Sequence, residues 1–334
     1  MPRATMRDVA DHAGVSHQTV SNVLNGHPSI RPEMRARVLS AINALNYQPN
    51  QNAQALRQAR ITTLCCTFFG HNAEDIHDPY RNLIQSAFVA EANASRYSMT
   101  TAFLDEGQPE SLARFQKRYL QGQFGGTVIV GTTLPADDLT AIRALGVHTV
   151  LFDHQIEGHD APTVQADYAG GMAAMVRHHA AQGRTHLALL IPAGDPGSSA
   201  QARLHGFQNE ARRLNLDTQV MPCTWSFESG RDAMHALWTS GARPDAVLAA
   251  SDRIAAGALR AAHTLGLQVP SEVAISGFDD FDFARFTTPT LTTLQVPHGE
   301  MARQAVRHLV ALVEQRPLPP TPTYPVPLLV RESA

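Results

Sequence analysis

From Ile61 onward the chain alternates short apolar runs with amphipathic stretches, a pattern that few folds accept. The runs are TTLCCTFF (Thr62–Phe69), SMTTAFL (Ser98–Leu104), TVIV (Thr127–Val130), VHTVLF (Val147–Phe152), HLALLI (His186–Ile191), DAVLAA (Asp245–Ala250) and EVAIS (Glu272–Ser276). Helical spacing fills Tyr80–Ser95, Asp137–Leu145, Gly171–Gln182, Ala200–Leu214, Ser229–Ser240 and Asp252–Leu265 between them. Strand, helix and strand in succession make a βαβ unit, so parallel sheets flanked by helices are expected. Ligands of such sheets bind at the carboxyl ends of the strands. Near the end, PVPLLV in a proline-rich tail is expected to add a late edge strand.

The first 60 residues read differently, as helices only. Thr5 and Asp8 have the spacing of a capping box, and Val9, Ala10 and Ala13 then share one helical face. Gly14 suits a chain reversal, because it accepts a positive φ. Ser16 is a good N-cap for a second helix, which points Val20, Val23 and Leu24 inward and stops at Asn25-Gly26. Pro32 fits the first position of a third helix, with Met34, Val38, Ile42 and Leu45 on its apolar face and Tyr47 closing the small core. Pro49 breaks the pattern. The stretch NQNAQALRQ (Asn50 to Gln58) follows as a short polar linker, too short to be a stable helix alone.

Charge divides at the same place. Residues 1–60 carry seven arginines against three carboxylates, a net +4, whereas the rest carries 20 basic and 27 acidic residues, a net −7. A basic head on an acidic body points to a polyanionic partner for the head alone. No run of about 18 apolar residues is present, so no membrane span is expected. The opening MPRATMRDVA lacks the apolar core of a signal peptide, which implies a cytoplasmic chain. Cys65, Cys66 and Cys223 fit no zinc spacing and read as small buried apolar residues in a reducing compartment.

The stretch from ATMRDVADHAGVSHQTVSNVLNGH through Leu45-Asn46-Tyr47 to Arg57 closely resembles, without a gap, the DNA-binding head of the lactose-repressor/galactose-repressor (LacI/GalR) family of transcription regulators. The body is similar to that family in the same order, through DYAGG (Asp167–Gly171), QGRTHLALL (Gln182–Leu190), ARLHGF (Ala202–Phe207), PDAVLAASD (Pro244–Asp252), AISGFDD (Ala274–Asp280), TLTTLQVP (Thr290–Pro297) and PVPLLVRES (Pro325–Ser333). The resemblance implies an all-α helix-turn-helix head at 1–48, a hinge helix at 49–60, and an α/β body of two lobes like the periplasmic sugar-binding proteins. It implies lobes that are discontinuous in sequence, residues 61–161 with 290–320 and residues 162–289 with 321–334, crossing near Pro162, Pro289 and Pro320.

In the head, the helix from His17 is expected to enter the major groove. With Val20, Val23 and Leu24 turned inward, His17, Gln18, Ser21 and Asn22 face outward, and Gln and Asn amides can bond adenine bidentately. Thr5, Ser16 and Thr19 are candidate phosphate ligands, joined by Arg31, which stands where relatives often place a serine cap. Many relatives carry arginine at the position of Asn22, so a shifted operator preference is expected. The competing reading is a solvated polar face on a purely structural bundle. In the hinge, Leu56 matches the family residue that wedges into the minor groove, with Asn50, Ala53 and Gln54 beside it. Packing between paired hinge helices would also account for Leu56. The hinge is expected to fold only on DNA, and a symmetric homodimer implies a pseudopalindromic operator.

In the body, the resemblance places Tyr80, Arg81, Asp153, Arg203, Trp225, Ser251 and Asp279 around an effector. Carboxylates and an arginine suit sugar hydroxyls, and Trp225 suits the apolar face of a sugar ring. Three positions depart from the family: Ser251 for a frequent Asn, Arg81 for an aromatic and Val296 for a polar Gln. Arg81 with Arg203 would instead suit an acidic ligand, and a purine ligand or a corepressor response is the family's other mode. The stretch DHQIEGHD (Asp153–Asp160) is rich in metal-binding residue types but lacks the spacing of a helical zinc site. No cofactor is expected. Neither a GxSxG, a Walker A nor a GxGxxG element is present, so the chain is not read as an enzyme. A transport solute-binding protein shares the body fold, but the basic head opposes that alternative. No leucine-heptad tail follows the body, which favours a dimer over a tail-assembled tetramer.

Overall fold

A computed structural model describes residues 4–24, 27, 30–45, 47, 61–71, 75–105, 107–131, 134–192 and 198–334. It divides into two compact units, residues 1–61 and 62–334. The expected hinge residues Asn50, Ala53, Gln54 and Leu56 lie outside the described residues, as does the Asn25-Gly26 stop. Among the described residues, no helix is long and apolar enough to cross a membrane.

Among the described residues the first unit is a bundle of three helices, α1 (Met6–Ala13), α2 (His17–Leu24) and α3 (Pro32–Ala44). Thr5 and Asp8 form the full capping box, each side chain meeting the other's backbone. Gly14 ends α1 at φ 61°, and the Arg37 guanidinium of α3 donates to the Ala13 carbonyl at 2.6 Å. Those two features set the turn and tie the first helix to the third. Val9, Ala10, Ala13, Val20, Val23, Val38, Ala41 and Tyr47 make the core. Met34, Ile42 and Leu45 are only half-buried, because α3 turns its Val38–Ala41 edge innermost. Arg31 precedes α3 without any side-chain cap, so its replacement of serine leaves the helix start to Pro32 alone.

The second unit holds two parallel sheets. The first has the order β2-β1-β3-β4-β5, from β1 (Thr63–Phe69), β2 (Ser98–Leu104), β3 (Gly126–Val130), β4 (His148–Phe152) and β5 (Thr163–Val164). The second has the order β7-β6-β8-β9, from β6 (His186–Pro192), β7 (Asp217–Cys223), β8 (Ala246–Ala249) and β9 (Ala274–Ser276). The central strands are buried along nearly their whole length, as sheets covered on both faces require. Their helices are α4 (Pro79–Ala94), α5 (Pro109–Leu120), α6 (Ala136–Ala144), α7 (Tyr168–Ala181), α8 (Ser199–Arg213), α9 (Phe227–Thr239), α10 (Asp252–Thr264) and α11 (His298–Val313). A short antiparallel pair, β10 (Thr293–Leu294) with β11 (Leu328–Leu329), supplies the late edge strand.

The chain passes between the lobes three times. Thr163 and Val164 still pair with β4, so the first crossing lies just beyond Val164, near Pro162. Thr292 bridges Ser276 and Gln295 bridges Asp279, which keeps this segment on the second sheet and moves the second crossing from Pro289 to just past Val296. Helix α11 then packs on α4, β3, β4 and β5 in the first lobe. The last segment returns beside the first crossing, where the Asp167 amide donates to the Tyr324 carbonyl at 2.9 Å. Proline marks where a ladder cannot continue on one side, but pairing on the other side carries the strand a few residues further.

Inside the second lobe, His179 of α7 faces Ser276 of β9, Nε2 to Oγ at 3.0 Å, while the Arg184 guanidinium donates to its Nδ1 at 2.7 Å. Only a neutral imidazole can accept from arginine, and burial with the Arg184 charge drops the His179 pKa to about 3. The unfolded chain therefore binds this proton from about pH 6.5 downward while the folded chain does not. The stabilisation is complete above pH 6.5 and is lost as pH falls toward 3, with a slope of up to about 1.4 kcal/mol per pH unit. Urea unfolding between pH 7 and pH 5 is expected to show this slope in the wild type and a shallower one in His179→Gln; equal slopes would remove His179 as the cause.

Candidate functional site: a cleft between lobes and a polar helix face

A cavity of about 530 Å³ lies between the two lobes of the second unit. Its wall follows the strand order. Phe69 ends β1 with Gly70 and His71 after it, Gly131 follows β3, and Asp153 follows β4. Pro192 ends β6, Cys223 to Ser226 follow β7, Ser251 follows β8, and Asp279 follows β9. Carboxyl strand ends of both sheets thus face one space, large enough for a small ligand.

Arg203 is the buried cation of this space, 3% exposed. Helix α8 aims it between the Tyr168 and Phe278 rings, with its guanidinium carbon 4.4 and 4.2 Å from their centroids, and 5.5 Å from that of Trp225. It donates to Ser199 Oγ at 2.9 Å and to Asp279 Oδ1 at 3.2 Å, while its Nε has no hydrogen-bond partner among the described residues. Asp279 sits at φ 109° and Asp153 at φ 61°, a region that favours glycine. Two carboxylates on strained backbone at one cleft mark a functional constraint.

Asp153 accepts from the Tyr80 hydroxyl at 2.6 Å and from the Tyr168 hydroxyl. Burial raises its carboxyl above the usual range, although His298, both tyrosines and Arg203 pull the other way. Burial and the Asp153 charge push both phenols well above 10, so they remain donors. Next to Ser251, Asp252 accepts from Thr293 Oγ1 at 2.5 Å and from the Phe281 amide at 2.8 Å. Burial, and then the Asp279 charge, raise it well above the usual carboxylate range. Gly277 is required beside it, since a Cβ there would stand 2.2 Å from Asp252 Oδ1.

Six of the seven expected residues line the cavity: Tyr80, Asp153, Arg203, Trp225, Ser251 and Asp279. Ser251 also caps α10, accepting from the Ile254 amide at 3.3 Å. Arg81 does not line the cavity. It is on the inner face of α4 with Ile84 and Phe88, donates to the Asp75 carbonyl, and lies 5.8 Å above the Phe103 ring. Its place three and seven residues before Ile84 and Phe88 was the available signal, because that spacing is one helix face. Val296 is buried and also outside the lining. Cys65 and Cys66 are buried as expected, but Cys223 is half-buried on the cavity wall, where burial pushes its thiol up to about 12 and keeps it protonated.

Sequence reasoning missed His71, Asp75, Asp78, Arg253 and Phe281 on the wall, and His298 behind it. His298 is 2% exposed, meets Asp279 Oδ1 at 3.3 Å through Nε2, and packs edge-on to Tyr80 and flat against Phe281. Only His71 directly follows a strand, while the others lie four or more residues past one, so the carboxyl-end rule points to the connections that carry them but not to the residues themselves. Arg253 is paired with Asp75 at 3.0 Å and Arg203 with Asp279, so both arginines of the wall already face carboxylates.

In the first unit, His17 and Gln18 are exposed and Ser21 and Asn22 half-buried, all on the side of α2 away from Val20 and Val23. Gln18 Nε2 donates to Asn22 Oδ1 at 3.0 Å, so the two amides act as one group. Ser16 Oγ accepts from the Thr19 amide at 3.1 Å, and the two hydroxyls meet at 2.9 Å. Thr5, Ser16 and Thr19 therefore cluster at the amino ends of α1 and α2, where backbone N–H groups attract anions.

Comparisons with known proteins fit both units. Residues 5–50 match the family model "Bacterial regulatory proteins, lacI family", and residues 176–334 match "Periplasmic binding protein-like domain". The chain is 31% identical to the HTH-type transcriptional regulator GalR of Escherichia coli (strain K12), over 98% of this chain and 94% of that protein. It is 31% identical to the ribose operon repressor of Bacillus subtilis (strain 168), over 95% of this chain and 94% of that one. A lac repressor dimer bound to operator and the anti-inducer ONPF superposes with a TM-score of 0.85, at 25% identity over 99% of each chain. A helical head with a polar outer face, a two-lobed body with a cleft, and relatives aligned over nearly their whole length lead to one assignment: the chain belongs to the LacI family of DNA-binding transcription regulators.

Proposed function

We propose that the protein is a transcription repressor whose operator affinity is set by an uncharged, sugar-like effector in the interlobe cavity. The observation that carries this reading is Arg203. Its guanidinium is buried and neutralised by Asp279, yet its Nε–H has no acceptor among the described residues. A buried donor without a partner costs about 1–3 kcal/mol, which a ligand oxygen would recover. Since both wall arginines face carboxylates, a hydroxyl or ring oxygen suits the site better than an acid group. Trp225 and the Tyr80–Asp153–Tyr168 set supply an apolar ring face and fixed polar atoms beside it.

On the DNA side, His17, Gln18, Ser21 and Asn22 meet base edges in the major groove, while Thr5, Ser16, Thr19 and Arg31 hold phosphates and fix register. Residues 1–48 form the reading head, and residues 49–60 the hinge whose Asn50, Ala53, Gln54 and Leu56 enter the minor groove. Residues 61 onward make the two effector lobes. A symmetric homodimer places two heads on a pseudopalindromic operator, in the cytoplasm and on the nucleoid when bound. Similar proteins include the transcriptional regulator GalR, a ribose operon repressor, and a lac repressor with operator and anti-inducer. Coupling is reciprocal: an effector that weakens operator binding is itself bound more weakly on the operator.

Two measurements test the reading. Calorimetric titration with a panel of neutral pentoses, hexoses and disaccharides is expected to give at least one saturable ligand. Its affinity should fall about 10- to 150-fold in Arg203→Met, the range for losing a hydrogen bond to a charged group. No ligand in the panel, or full affinity in the variant, would sink the effector reading. For the head, selection from a randomised operator library is expected to recover different bases for Asn22→Arg than for the wild type, with about 1–3 kcal/mol between preferred and disfavoured bases. Identical base preferences would show that Asn22 does not read sequence.

A further inference from the structure

The two lobes meet beside their crossings through buried groups. Tyr168 of the second lobe bonds Asp153 of the first, Asp279 of the second meets His298 of the first, and His154 bridges Ser198. Another lobe-to-lobe contact is of a different kind. Asp75, in the turn before α4, faces Arg253, in the first turn of α10, with Oδ2 and Nη1 at 3.0 Å. Both residues are on the cavity wall, and both side chains keep contact with water, 33% and 22% exposed.

The local structure prepares this pair from both sides. The His77 amide donates to Asp75 Oδ1 at 3.2 Å, which leaves Oδ2 for the arginine. The Asp78 amide donates to the Asp75 carbonyl at 3.3 Å, and the buried Arg81 guanidinium donates to the same carbonyl. Arg81 thus fixes the backbone of the turn from inside the lobe. Opposite, Arg253 stands in the first turn of a helix, where the macrodipole disfavours a cation. Its own helix gains nothing from that charge, which is rewarded by the carboxylates across the cleft, Asp75 in direct contact and Asp78 through its longer-range charge.

We propose that Asp75 and Arg253 form a clasp that holds the ligand-free cleft closed and so sets how readily the cavity takes a ligand. Its bearing on effector affinity rests on the function proposed above; the clasp itself does not. An ion pair in contact with water is weakened by salt, and the buried contacts near the crossings much less so. The state of the cleft should therefore respond to ionic strength through this pair.

Trp225 on the cavity wall reports it. The chain has two tryptophans, so Trp238→Phe leaves Trp225 as the sole emitter. Acrylamide, an uncharged quencher, is applied to the ligand-free full chain at 50 mM and 500 mM NaCl. The parent is expected to be quenched roughly twofold more strongly at high salt, the population change that a surface pair of this strength can produce. Asp75→Asn and Arg253→Met should be quenched strongly at both salts. The charge-reversed Asp75→Arg/Arg253→Asp chain should regain protection at low salt, which no general loosening of the fold would give. Equal quenching in parent and single variants, or a cooperatively folded reversal variant that stays open, overturns the clasp. Because no ligand is used, failure of the sugar titration and failure of the clasp are separate results.

Discussion

Arg203 is a guanidinium with almost no access to water, and the cleft is arranged around holding it there. A charge in such a place needs a counter-charge and satisfied donors, or it would cost several kcal/mol. Asp279 supplies the charge, on backbone twisted to φ 109° to reach it. That carboxylate in turn loads its surroundings: it raises Asp252, and it holds His298 against the Tyr80 and Phe281 rings. The Tyr168 and Phe278 rings flank the cation and give it an apolar sheath. Side chains from both lobes are drawn into one network by a single buried positive charge, and the cavity is the space that network leaves.

Much of this was legible from sequence, and the reasons for the rest are physical. Buried strands announce themselves as apolar runs, so seven were read with ends within about two residues. Strand β7 was not, because it is an edge strand whose residues are mostly exposed and whose sequence, DTQVMPC, is mixed. Helices α5 and α11 were also left out, the first lying outermost with only Ser111 and Phe115 buried. Arg81 shows the limit of carrying roles over by position. One helical step separates it from Tyr80, and that step turns a cavity residue into one that braces a loop from inside. Arg253 and His298 lay in plain sight, but only the fold brings them to Asp75 and Asp279.

The two units use polar chemistry in opposite ways. Around the cleft, polar groups such as Asp153, Arg203 and Asp279 are buried and paired with one another, and Arg203 Nε is a donor left over among the described residues. On α2, polar groups stand at the surface and are tied to one another. The Gln18–Asn22 bond fixes two amides that would otherwise turn freely, lowering the entropy lost when they meet a partner. Changing either residue alters the orientation of both, so the effects of the two substitutions should not be additive.

The three crossings between lobes have a consequence for how such a chain can change. A head joined through one linker can be exchanged by a single recombination event, and with it the operator that is read. Neither lobe can be exchanged so simply, because each is assembled from two separate stretches of the gene, with α11 and the β10–β11 pair carrying the chain back and forth. A cut anywhere between Val164 and Tyr324 leaves both lobes incomplete. Descent by shuffling is thus open to DNA specificity and closed to the ligand cleft, which is left to change residue by residue along its strand ends.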